Sequence, residues 1–104
     1  MTNETARELQ MHIDNSAQLV KQVAEPTYRN LEKKMAKGTY GEKLAHQAMV
    51  NLATAGARDY VAQYCTAGEK WHEMFSVADR RDCAAMLLKS FADEVACGNG
   101  WLAR

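Results

Sequence analysis

What this chain lacks is the first guide to its class. It has no surplus of charge: 13 basic residues stand against 13 acidic ones, for a formal net charge of zero. Dedicated nucleic-acid binders carry a basic excess, because neutralised phosphates supply much of their affinity. A decoy of DNA would carry the opposite excess, and neither is present. No apolar run approaches the roughly 20 residues that cross a bilayer, so no membrane span is expected. No CxxC, HxxH or HExxH pair occurs, which removes the local signatures of a zinc site. The three cysteines, Cys65, Cys83 and Cys97, are an odd number without framework spacing. Free thiols in a reducing, intracellular setting follow from that. The stretch Met1 to Thr5 has neither a basic start nor an apolar core, so no secretory signal is expected and the cytoplasm is the expected location. Two-residue alternation, strand-rich runs and internal repeats are all missing. A single proline, Pro26, interrupts the chain.

What is present is an ordinary globular balance, 47% hydrophobic and 25% charged, over 104 residues, enough for one modest core. The apolar positions recur at helical spacing. Thr5 and Glu8 match a capping box, and Leu9, Ile13, Ala17, Val20 and Ala24 follow as one stripe. Tyr28, Leu31 and Met35 continue the same face through Pro26. That continuity predicts one long helix kinked near Pro26 rather than broken there, although Asp14, Asn15 and Ser16 are weak helix formers within it. Lys33, Lys34 and Lys37 followed by Gly38 read as a helix stop. A second helix is predicted over Gly41–Tyr64, with either Thr39 paired to Glu42 or Gly41 as its cap. It is apolar almost all round, from Leu44 to Val61, and a helix of that kind needs neighbours on most sides. Gly56 in its interior costs about 1 kcal/mol of helix propensity, and close approach by another helix is the usual return. A short helical piece holds Trp71, Met74 and Phe75. Ser76 and Asp79 then cap a last helix, carrying Val77, Ala84, Leu88, Phe91 and Val95, that stops at Gly98. Trp101 and Leu102 are too apolar for a free tail and are expected to fold back or meet a partner. The fold class is therefore all-α: a small helical bundle of three long helices, the first kinked near Pro26, plus a short helical linker, with residues 1–104 as a single domain.

Few residues suggest chemistry. His12, His46, His72 and the cysteines are the available soft ligands. A Cys65/His72/Cys83/Cys97 site rests on no local pair, so no metal or cofactor is expected. Cys83 flanks an apolar stripe, as an inert core thiol does. Gly38 and Gly41 are explained as helix punctuation rather than as a phosphate cradle. Asp79, Asp82, Arg80, Arg81 and Lys89 read as a solvated charged face. No catalytic residue is assigned. Arg29, Lys33, Lys34, Lys37 and Lys43 gather towards one end of the domain as a possible nucleic-acid contact. A recognition helix, however, opens on base-reading polar residues, and the helix after Gly41 opens on Glu42.

The apolar surplus points elsewhere. Met11, Leu19, Val23 and Met86 lie off the main stripes of their helices, and Trp71, Trp101 and Leu102 add bulk. Surplus of this kind predicts an oligomer or partner interface, and a homodimer is the favoured form. The one consistently polar stripe of the central helix, Gln47, Asn51, Thr54 and Arg58, could form the rim of such a contact, with Trp71 and Trp101 as further candidates.

The segment Lys37-Gly38-Thr39-Tyr40-Gly41, the step Ala57-Arg58-Asp59-Tyr60, and Phe75, Ser76 and Arg80 together resemble short uncharacterised helical proteins of tailed bacteriophages and prophages. In those proteins a lysine-x-GTY segment precedes an alanine-rich helix, and an F-S-x-x-x-R segment opens the last helix. The resemblance covers roughly residues 31–98. Family members usually have an acidic residue where this chain has Gly41. It implies a small, phage-encoded, intracellular helical protein, and no activity is attached to the group. The expected function is a non-enzymatic interaction protein, a phage or prophage accessory factor that binds a host or phage protein or itself. The alternative is a small nucleic-acid-binding regulator using the Lys33, Lys34, Lys37 and Lys43 cluster.

Overall fold

A computed structural model describes residues 3–65 and 70–102. The segment Cys65 to Gly68, expected to stop the central helix after Tyr64, is described only at Cys65, and residues 66–69 lie outside the described residues. The described chain is all-α, elongated at 43 × 28 × 21 Å, with no strand. It comprises α1 (Glu4–Asn15), α2 (Ala17–Leu19), a π-helical turn (Val20–Ala24), α3 (Glu25–Ala36), α4 (Glu42–Tyr64), α5 (Trp71–Met74) and α6 (Val77–Ala96). No described helix is long and apolar enough to cross a membrane.

The central helix begins and ends where its sequence indicated. Gly41 is its N-cap in extended backbone, with no side-chain cap. Gly38, at φ 74°, ends α3: the Thr39 N–H reaches Lys34 O and the Gly38 N–H reaches Met35 O. Those two bonds satisfy carbonyls that a helix end leaves open, and the left-handed backbone they need favours glycine. The last helix is opened by a full capping box, in which Ser76 Oγ accepts from the Asp79 N–H and the Asp79 carboxylate accepts from the Ser76 N–H.

The first long helix differs from expectation. It breaks at Ser16, not at Pro26. Ser16 adopts an extended backbone, and its hydroxyl accepts from the Leu19 N–H at 3.3 Å, capping α2. The weak helix formers Asp14, Asn15 and Ser16 mark this point, since their side chains compete with the helical backbone. The break shifts burial locally: Leu19 is buried at 7% exposure and Ala17 is exposed, while Ala24 and Leu31 further along the expected stripe are buried. The backbone then passes Pro26 without stopping. Just before it the helix widens, so that the Glu25 N–H bonds Val20 O, five residues back. A widened turn gives the proline ring room against the preceding carbonyls. The first cap also differs. Asn3, rather than Thr5, caps α1, its Oδ1 accepting from the Ala6 N–H at 3.1 Å.

The core sits where α1, α4 and α6 meet. Leu9 and Ile13 of α1, Met49 and Leu52 of α4, and Leu87 and Phe91 of α6 are fully buried there. Gly56 lets α1 come close: a Cβ at that position would stand 2.5 Å from Ile13 Cγ1. Ala53 and Ala57 are fully buried by their own chain, whereas Val61 is only half-buried. Leu44, read as part of the apolar sweep, is instead 59% exposed. Trp101 folds back to 8% exposure, its ring 4.6 Å from Tyr28 and 5.4 Å from Phe91. The Glu32 carboxylate holds the tail there, accepting from the N–H groups of Trp101 at 2.7 Å and Leu102 at 3.2 Å.

Candidate interaction surface

The polar stripe of α4 meets two other elements. Gln47 donates to Asn51 Oδ1 at 3.1 Å, one helical turn along, and both side chains face solvent. One turn further, Thr54 donates to Val50 O at 2.9 Å and so leaves its hydroxyl oxygen free to accept. Arg80, in the first turn of α6, donates to that oxygen through Nη1 at 3.3 Å, and through Nε to Phe75 O at 3.3 Å. These two bonds fix the guanidinium 5.0 Å from the centroid of the Trp71 ring. Arg58, exposed on α4, places its own guanidinium 4.9 Å from the same centroid. Three of the residues singled out from sequence, Thr54, Arg58 and Trp71, therefore converge, and Gln47 and Asn51 extend the same stripe. Trp101 does not join them, because it is packed inward on Tyr28 and Phe91.

Electrostatically the cluster is unusual. Two cations share one half-buried indole, and each is attracted to the ring quadrupole. Among the described residues neither guanidinium forms an ion pair with a carboxylate. Arg58 is exposed, while Arg80 is half-buried and bonded through Nε and Nη1; guanidinium groups suit bidentate recognition of carboxylate groups.

A second cluster lies at the other edge of α4. His12 of α1 and Asp59 of α4 approach to 2.8 Å between Nε2 and Oδ2, with the His12 side chain only 8% exposed. Gln63 donates to the same carboxylate oxygen at 2.8 Å. The His12 ring meets Tyr60 and Tyr64 edge-on, with centroids 5.2 and 5.8 Å away. Beside it, Glu8, Met11, His12, Asn15, Tyr60 and Tyr64 line an open groove of about 300 Å³.

The basic residues of the alternative reading spread over α3 and the start of α4. Arg29, Lys33, Lys37 and Lys43 are exposed, and Lys34 is half-buried. Cys83 is fully buried, and burial pushes its thiol pKa up to about 12. Cys65 is half-buried and Cys97 exposed. Among the described residues no three His, Cys, Asp or Glu side chains gather closely enough to hold a metal ion.

Sequence reading missed Arg80, which it assigned to a solvated face, and the His12–Asp59 pair. These contacts join positions 26 and 47 residues apart, and no local spacing announces them. The Phe75-Ser76 cap, which starts α6 and aims Arg80 back at α4, was the available signal. No protein-family model, curated protein or solved structure matches this chain.

Proposed function

We propose that this chain is a non-enzymatic interaction protein that docks an acidic segment of another protein on the face built by Gln47, Asn51, Thr54, Arg58, Arg80 and Trp71. The observation that supports it is the pair of guanidinium groups held on one half-buried indole, with no carboxylate of their own among the described residues. Tryptophan and arginine are the residues on which interface energy concentrates. The polar Gln47–Asn51 pair would form the rim, and a carboxylate from the partner would bridge the arginines. The same cationic character argues against a symmetric homodimer through this face, since a two-fold axis there would set Arg58 and Arg80 against their own copies. In keeping with the sequence resemblance, the setting we propose is a phage or prophage accessory factor acting on a host or phage protein.

The test is a pull-down from bacterial lysate with the captured protein identified, followed by titration of that protein against variants. Arg58 is exposed, so Arg58→Glu should fold normally and weaken binding by at least about tenfold, while Gln47→Ala changes it little. Capture unaffected by Arg58→Glu and Trp71→Ala would remove this face from the function. Recovery of the protein alone, with a dimer mass in solution, would favour self-association instead.

A further inference from the structure

We propose that the groove between the C-terminal ends of α1 and α4 receives one lysine or arginine side chain presented by a basic segment of a partner protein. The groove lies away from the arginine face, shares no residue with it, and stands or falls independently of the function proposed above.

Four features of the lining favour a cation. The walls present two tyrosine rings one helical turn apart, Tyr60 and Tyr64, with centroids 5.2 Å apart and planes inclined at 53°. Tyrosine faces attract ammonium and guanidinium groups. Glu8 supplies a carboxylate at the rim, and no lysine or arginine lines the groove. Asn15 and Tyr64, which also line it, are the last residues of α1 and α4. Two helix C-termini therefore border the same space, and a helix C-terminus carries partial negative charge. α4 has no basic residue in its last turn, where helices commonly place a lysine or arginine. In the last turn of α1 the only basic group is His12, already committed through Nε2 to Asp59.

The same contact stiffens the groove. With Asp59 and the two tyrosine edges around it, His12 fixes the floor on which the rings stand. Tyr60 is further braced edge-on by Phe75 at 5.2 Å. Above this floor, Met11 at 54% and Tyr64 at 67% exposure offer apolar surface to a flexible methylene stem.

The occupant is a side chain rather than a free ion or metabolite because of size and shape. A site for a free small molecule encloses most of its ligand. This groove, about 300 Å³ and open along one side, would leave a free ammonium largely in water. A side chain delivered by a partner's surface needs only its head group and stem seated, and the partner itself covers Met11 and Tyr64.

The proposal can be tested by NMR titration of the full chain with acetyl-Gly-Ser-Lys-Ser-Gly-amide, following the Met11 methyl and the Tyr60 and Tyr64 ring signals. Saturable shifts are expected with millimolar affinity. The same peptide with norleucine in place of lysine, which keeps the stem and lacks the charge, should bind at least about tenfold more weakly. Methylammonium chloride, which keeps the charge and lacks the stem, should bind at least about fivefold more weakly than the lysine peptide. Glu8→Gln and Tyr64→Ala both alter exposed side chains, so both should fold, and each should weaken the peptide several-fold. Absence of a saturable shift up to about 20 mM peptide would overturn the proposal. So would norleucine binding as well as lysine. Methylammonium binding as tightly as the peptide would make this a small-cation site. Groove shifts that depend on protein concentration without peptide would make a second copy the occupant. Either result would refute a basic partner segment.

Discussion

Substitution of Gly56 by alanine is the sharpest test of how the bundle is held together. In an open helix interior the change gains about 1 kcal/mol, because alanine has the better helix propensity. Here the added Cβ would lie 2.5 Å from Ile13 Cγ1 and 2.7 Å from Ile13 Cδ1, with Leu9 Cδ1 next at 3.5 Å. Ile13 and Leu9 are both fully buried, so neither side chain can retreat into solvent. Ile13 is also β-branched and stiff at χ1. Overpacking of a closed core costs typically 1–3 kcal/mol, and two such short contacts on one rigid side chain place the cost near the top of that range, about 3 kcal/mol. The clash outweighs the propensity gain. Gly56→Ala should lose about 1–2 kcal/mol, a fall in melting temperature of roughly 5–10 °C for a chain of this size. Urea and thermal unfolding followed by helical circular dichroism would read it. Ile13→Val alone should cost about 1 kcal/mol. In that background, with Cδ1 gone, Gly56→Ala should cost less by at least about 0.5 kcal/mol, the coupling expected of residues in contact. Gly56→Ala at or above wild-type stability, or strict additivity with Ile13→Val, would show that α1 does not pack on α4 in this register.

Three further outcomes follow from other parts of the molecule. A Cβ at Gly100 would run into the Glu32 carboxylate that anchors the tail, so Gly100→Ala, in a Trp71→Phe background, should shift Trp101 fluorescence to the red and cost about 1–3 kcal/mol. The hydrogen bond from Asn3, joined by those from Ser76, holds the Asp79 carboxyl below its ordinary 3.8. Its contribution is therefore present above about pH 4 and lost as pH falls below that, and denaturation at stepped pH should show Asn3→Ala approaching wild type in acid. Burial raises the Cys83 thiol from 9.0 to about 12, and burial raises the Tyr28 phenol as well. Stability from these groups is full below about pH 9 and declines as pH rises beyond it. At pH near 8, iodoacetamide should label the exposed Cys97 and leave Cys83 unmodified until the chain unfolds, as peptide mass spectrometry would show.

The parts of the fold legible in sequence are those written in local chemistry. Gly38, Gly41, Gly98 and the Ser76–Asp79 pair bracket two long helices because capping depends on residues within a turn of one another. Gly56 announced a close neighbour for the same reason, since its helix-propensity cost needs a local explanation. The break at Ser16 was also locally signalled, by Asp14, Asn15 and Ser16, but an apolar stripe that stayed in phase from Leu9 to Met35 outweighed it. Periodicity reports which side chains share a face only while the helix is continuous, and one capped turn shifted burial to Leu19. The interaction surface was half legible. Thr54 and Arg58 stand out because they are polar on an apolar helix. Arg80 and the partnership of His12 with Asp59 depend on how elements fold onto one another, and no spacing along the chain encodes that.

Asn3 does two jobs with one amide. Its oxygen caps α1, while its nitrogen donates to Asp79 Oδ1 and Asp82 Oδ2 in the first turns of α6, both at 2.9 Å. Helix ends ordinarily fray independently, and their amide protons exchange with solvent long before those of the core. Here release of the first turn of α1 also breaks the two hydrogen bonds that Asn3 gives to the opening turns of α6, 76 and 79 residues further along. The first turns of α1 and α6 are thus linked through one side chain. Cutting back the side chain at position 3 should therefore lower exchange protection at the Ala6 amide, which it caps, and to a smaller degree in the opening turn of α6.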